Sequence, residues 1–180
     1  MISYHLDQTL EKLKGPSREQ LIVGNQWAVT ALDLYHPGSA TDFEFWIDGN
    51  HISAKLAWNS EFSTSAMKER KDIANFGAVA IAEFVMSVLL DYHYVEQSEI
   101  GDGVDYNFMK EQPDEDDLSF LSDGHYVEMS GILEEGPSNT IARRLSEKHA
   151  QISKGSKAKE DSSVIVTLFS QPKTVKEVHR

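Results

Sequence analysis

The sequence predicts an α/β protein, a mixed central sheet with a long buried helix against it. Three observations carry that prediction. Residues 73–90 are apolar nearly all round, so a helix there has to be covered on several sides. Near Asp91 the apolar period changes from helical to alternating. The segment 163–169, SVIVTLF, is apolar throughout, as a strand buried on both faces is.

The elements follow in chain order. Leu6, Leu10 and Leu13 recur at helical spacing, and residues 1–20 read as a short amphipathic helix stopped by Gly15 and Pro16. Over 19–35 a helix fits, and 27–35 also fits a strand. Segments 42–47 and 51–58 flank Asp48-Gly49-Asn50, a strong hairpin signal. Residues 63–90 are expected to be one helix, with Gly77 and the alanines at 74, 78, 80 and 82 forming a thin face for close packing. Strands are expected at 92–98, 104–109 and 126–133, then a helix over 141–153 behind Pro137–Thr140, then the strand 163–169. The chain reads as one domain over 1–180: an N-terminal extension with its hairpin (1–62), a core (63–170) and a tail (171–180).

Composition bounds the chemistry. The 180 residues include no cysteine, which excludes a disulfide scaffold, a thiolate zinc site, an iron–sulfur cluster and a cysteine nucleophile. No apolar signal segment opens the chain, and Asn75, Gly77, Glu83 and Ser87 break the longest apolar stretch, so a cytoplasmic location and no membrane span are expected. The net charge of −12 is concentrated: residues 91–135 hold fourteen acids and a single base, Lys110. Such a middle repels phosphate unless a cation or a local basic element compensates. Five acids lie within 111–117, and mobility is expected over 110–117 because they repel one another.

Three carboxylates stand out by position. Glu83 lies inside the apolar helix, Asp105 in the second strand, and Glu128 in the third strand on one face with Ser130 and Ile132. A buried carboxylate needs a partner, a shifted pKa or a cation. Carboxylates converging from neighbouring strands suit Mg²⁺, which prefers hard oxygens. The blander alternatives are an ion pair of Glu83 with Arg143, Arg144 or Lys148, a turn-capping Asp105, and a Glu128 on a solvated face.

This run of a helix with Glu83, a strand, a strand with Gly103-Val-Asp105, a strand with Tyr126-Val-Glu128-Met-Ser130, a helix and a strand resembles the restriction-endonuclease-like PD-(D/E)xK superfamily. The resemblance spans roughly 63–169. It implies a Mg²⁺-dependent nuclease fold with Asp105 and Glu128 as metal ligands and Glu83 as the helix acid. It departs at Ser130, which stands where that superfamily places a catalytic lysine. Some members recruit a lysine from the following helix. Here Arg144, Lys148 and Gln151 share one helical face, so Lys148 is the candidate, with a solvated Lys148 as the alternative.

The first expectation is therefore a nuclease-fold protein with a degenerate site that acts as an accessory subunit on a protein partner, in a bacterial defence or mobile-element setting. It would cleave nucleic acid slowly or not at all. The alternatives are an active nuclease using Asp105, Glu128 and Lys148, and an acidic protein that caps a basic partner through 111–117. The seven histidines form no HxH or HExxH pair, and Ser130-Gly131 lacks the frame of a nucleophile elbow.

Overall fold

The computed structural model describes residues 2–113 and 124–180. Of the segment 110–117, expected to be mobile, residues 114–117 lie outside the described residues. Strands β1 (Ile2–His5), β2 (Ala40–Ile47), β3 (Asn50–Ala57), β4 (Tyr94–Gln97), β5 (Tyr106–Met109), β6 (His125–Ile132), β7 (Ser162–Leu168) and β8 (Lys173–Val178) form one mixed sheet. Their order is β1-β3-β2-β8-β7-β6-β5-β4. Helices α1 (Thr9–Lys12), α2 (Arg18–Asp33), α3 (Arg70–Phe84) and α4 (Ile141–Ile152) complete the fold. The α/β class with a mixed sheet and a long buried helix is thus as the sequence predicts.

Local chemistry sets the boundaries. Asp48 and Gly49 both take positive φ, 51° and 85°, the conformation that a two-residue turn between twisted strands needs. That turn places Ile47 opposite Asn50 in the β2–β3 hairpin. Ser17 and Gln20 form a reciprocal capping box, which starts α2 and resolves the 19–35 ambiguity in favour of helix.

Three expectations need correction. The N-terminal twenty residues are not one helix: Ile2–His5 pairs in parallel with β3, and only short turns at Leu6–Gln8 and Thr9–Lys12 follow. The long helix starts at Arg70 rather than Ser63, because hydroxyls upstream compete for the backbone. Ser63 Oγ donates to Asp33 Oδ2 at 2.8 Å, and Thr64 Oγ1 accepts from Ala66 N at 3.2 Å. The segment read as a tail is β8, inserted between β2 and β7 so that the hairpin and the core share one sheet. Its alternation of Thr174 and Lys176 (buried) with Lys173 and Val175 (partly covered) hid it as a charged end.

Helices α2 and α3 cover one face of the sheet and α4 covers the other. The alternation of β6 is the hinge of the design. Val127 and Met129 join the α2–α3 core, whereas Ile132 joins the smaller core under α4. Gly131 lets α3 lie directly on β6: a Cβ there would fall 1.8 Å from Ala74 O. Gly77 does the same for α2, since its Cβ would lie 3.2 Å from Trp27 O. Arg70–Leu89 is long and apolar enough to cross a membrane, and here most of it is buried inside the fold. From α3 onward the chain runs helix, three antiparallel strands, helix, and a strand parallel to the third.

Candidate functional site

Asp105 lies just before β5, where the β5–β6 ladder runs out. Its backbone N–H donates to Val127 O at 3.0 Å, and its O accepts from Ser98 N at 2.9 Å. Its carboxylate then takes the next place in the ladder, with Oδ2 accepting from Met129 N at 2.8 Å. The turn-capping alternative is therefore part of the truth: Asp105 secures the end of the hairpin while half-exposed. Its other oxygen, Oδ1, accepts no hydrogen bond among the described residues.

Glu128 is fully buried on the α4 face of β6. The solvated-strand alternative is excluded. Its Oε1 accepts from Lys148 Nζ and from Gln151 Nε2, the latter at 2.8 Å. Lys148 Nζ also donates to Gln151 Oε1 at 3.2 Å, so the three side chains close a ring. Glu128 Oε2 is buried without a hydrogen-bond partner among the described residues. Burial, and secondarily repulsion from Asp105, pushes the Glu128 carboxyl up to about 7 against the pull of Lys148 and Gln151.

One turn nearer the N-terminus of α4, Arg144 Nη1 donates to the buried Ser130 Oγ at 3.3 Å and Nη2 to Asn139 Oδ1 at 2.7 Å. The i, i+4, i+7 face read from the sequence is thus the face that meets β6. Thr140 Oγ1 caps the helix through Arg143 N at 3.3 Å and sets that rotation. A cleft of about 450 Å³ opens beside the pair, lined by Asp105, Gln151, Lys154 and the 97–104 loop.

Glu83 stands apart. It projects from α3, the helix on the opposite side of the sheet from α4, and lines a different cavity with Gly24 and Tyr106. None of Arg143, Arg144 and Lys148 pairs with it. Among the described residues no three His, Cys, Asp or Glu side chains gather closely enough to hold a metal. What the site offers is a pair of carboxylates with a lysine.

Sequence reasoning missed a second hydrogen-bonded run. His125 bridges Asp161 Oδ2 (3.1 Å, from Nδ1) and Ser163 Oγ (2.8 Å, from Nε2). The order Asp–His–Ser mimics a nucleophile relay, but Ser163 is fully buried within β7 and no substrate carbonyl can reach it. Burial depresses the His125 pKa despite Asp161, so the imidazole serves as a neutral bridge between strands. Asp161 and Ser163 stand two residues apart at the start of β7, but His125 opens β6 far from them in sequence, and no local spacing signals the run.

Comparison with protein-family models, with curated proteins and with solved structures returns no match.

Proposed function

We propose that the protein is a metal-dependent nuclease of the restriction-endonuclease-like kind, hydrolysing phosphodiester bonds at Asp105 and Glu128 with Lys148 as the site amine. One observation carries the reading: Lys148 Nζ reaches Glu128 Oε1 from α4, an amine beside the strand whose position 130 carries serine rather than lysine. The order of helix, three antiparallel strands, helix and parallel strand supports it. So does the donor set. Glu128 Oε2 is an orphaned buried acceptor and Asp105 Oδ1 is uncommitted, two hard oxygens of the type Mg²⁺ selects. Bound there, Mg²⁺ would lower the pKa of a water and polarise a phosphoryl oxygen.

The chain's own residues do the rest. Lys148 would place a positive charge beside the carboxylates and offer hydrogen bonds to a phosphate oxygen, stabilising the charge that develops there. Gln151 holds both Lys148 and Glu128, fixing the amine's direction. Lys154, on the rim of the same cleft, counters the acidity of the middle of the chain where a phosphate would enter. Asp105, held by Met129 N, stays in place without help from substrate.

A second reading, a degenerate site in an accessory subunit, is favoured by the charge of residues 91–135. Cleavage assays on single- and double-stranded DNA and RNA with Mg²⁺ or Mn²⁺ separate the two. Wild type is expected to cut, and Asp105→Asn, Glu128→Gln and Lys148→Ala each to lose at least about a hundredfold in rate. Ser130→Lys adds nothing if Lys148 is the amine. Inactive wild type rescued by Ser130→Lys would establish the degenerate reading, and inactivity of both would leave an interaction role.

A further inference from the structure

The cavity on the α2–α3 side of the sheet has a composition of its own. It measures about 570 Å³, within the range of small-molecule sites, and opens between α2, α3 and the β4–β5 edge. Trp27 and Phe76 form one wall, with ring centroids 5.3 Å apart and a tilt of 41°. Phe76 is 50% exposed and Val23 49%, an apolar rim with no intramolecular cover. Tyr94 and Tyr106 stand on the strand side.

Into this apolar hollow projects Glu83, only 6% exposed. Its carboxylate has no ion pair and no side-chain hydrogen bond among the described residues. Gly24 presents no side chain to it, since even a Cβ there would stop 3.8 Å from Oε2. Ser87 Oγ donates to the Glu83 carbonyl at 2.7 Å, at the point where α3 widens into the π turn Val85–Leu89. Such widened turns recur at functional positions because they re-aim the side chains beside them. Among the described residues the other charged side chain lining the cavity is Glu96, and no lysine, arginine or histidine does so.

We infer that this cavity binds a small organic cation with a flat apolar body, an amidinium, a guanidinium or a protonated heteroaromatic amine. Glu83 takes the charge and the Trp27–Phe76 wall takes the body. A buried carboxylate without a partner is costly, and a ligand that brings the missing charge recovers that cost. Aromatic faces attract a delocalised cation and reject an anion. The cavity is separate from the Asp105–Glu128 site on the other side of the sheet, and its ligand does not depend on the chemistry there.

Burial holds the Glu83 carboxyl up at about 7. The groups facing it are Tyr106, whose phenol is pushed up to about 12, Tyr94, which is also raised, and Glu96. Of these, Glu83 is the one whose charge changes near neutrality and that the ligand would contact. Affinity for a permanent cation therefore rises as pH passes upward through about 7.

The test is an amide NMR titration of the full chain with benzamidine, set against benzamide, its neutral isostere. Benzamidine is expected to give saturable shifts at Gly24, Val79 and Tyr106, and benzamide to bind at least about tenfold more weakly. Benzamidine affinity is expected to fall about tenfold from pH 8 to pH 6 as Glu83 takes up its proton. Glu83→Gln is expected to abolish the preference for the cation. Phe76→Ala, at a half-exposed position that tolerates truncation, should weaken benzamidine binding while leaving the fold intact. Equal binding of the two probes, no saturable shift in that cluster, or full affinity in both variants would overturn the inference.

Discussion

Glu83→Gln offers a stability measurement whose sign and size follow from burial alone. In the fold the carboxyl is raised from 4.5 to about 7 by desolvation, with no partner to offset it. A tenfold change in proton affinity is worth about 1.4 kcal/mol, so keeping Glu83 ionised in the folded chain costs about 3 kcal/mol. Between those two values the folded protein holds a proton that the unfolded chain has released. Stability therefore falls as pH rises through this window and levels off above about 7. Glutamine mimics the protonated acid and removes the dependence. Near pH 5 the variant should be the more stable by only about 1 kcal/mol, and near pH 8 by about 3 kcal/mol. In thermal unfolding that gain corresponds to about 6–12 °C for a chain of this length. Glu128 titrates in the same range in both proteins and cancels from the difference. Urea unfolding at several pH values, with m compared to confirm a common unfolded state, reads the difference directly. A difference that stays flat with pH, or a variant that is less stable at high pH, would show that the folded chain already supplies Glu83 with a compensating charge. Glu83 would then be a partnered acid, with no charge left over for a ligand to meet.

Lys148→Ala should destabilise by about 3 kcal/mol near pH 8, the lower end for a broken buried pair because its side chain keeps 20% exposure. Near pH 5, where Glu128 is protonated, the loss should shrink, and Lys148→Ala with Glu128→Gln should recover most of it in a double-mutant cycle. Gly131→Ala should cost about 3 kcal/mol or more in a thermal melt, since its Cβ would strike the α3 backbone at Ala74 O. In the metal-free protein the Glu128 carboxyl, followed by NMR, should titrate at about 7, and Mg²⁺ should lower that value; a value that Mg²⁺ leaves unmoved would remove Glu128 from the proposed metal site.

The parts of the fold legible in the sequence are those where one local signal dominates. The Asp48-Gly49 turn has few alternatives in a hairpin, and the all-apolar α3 has no place except the interior. The rotation of α4 is legible because Arg144, Lys148 and Gln151 obey the helical period and all three side chains meet β6. β1 and β8 are not, because both are short and polar and gain strand structure only from partners far along the chain, β3 for one and β2 with β7 for the other. No window of local sequence contains that information. The start of α3 is hidden for a related reason: residues 63–64 are held out of the helix by α2, with Ser63 Oγ donating to Asp33 and Thr64 N donating to Thr30 Oγ1. Glu83 stands out in the sequence as a buried acid, but which side of the sheet it faces depends on where α3 lies, and the contacts that place α3, Gly131 against Ala74 among them, join segments far apart in sequence.

Glu83 and Glu128 reach the same raised pKa by different routes, and the difference separates their roles. Glu128 is opposed by Asp105 and supported by Lys148 and Gln151, so its charge is already part of a network that a divalent cation can enter by exchanging partners. Acid, amine and amide are fixed to one another there, and the proposed reaction at a phosphate would draw on that: ionisation, positive charge and orientation within one cluster. Glu83 has burial alone as the cause of its raised pKa, and its surroundings are aromatic. It shares its cavity with Tyr94, Tyr106 and Glu96, and the phenol of Tyr106 is itself held protonated to about 12. A carboxylate in that position is suited to holding a charge rather than to moving one. The sheet between them allows both to exist in one small domain, because a cation drawn to either side is screened from the other by the packed residues of β5 and β6.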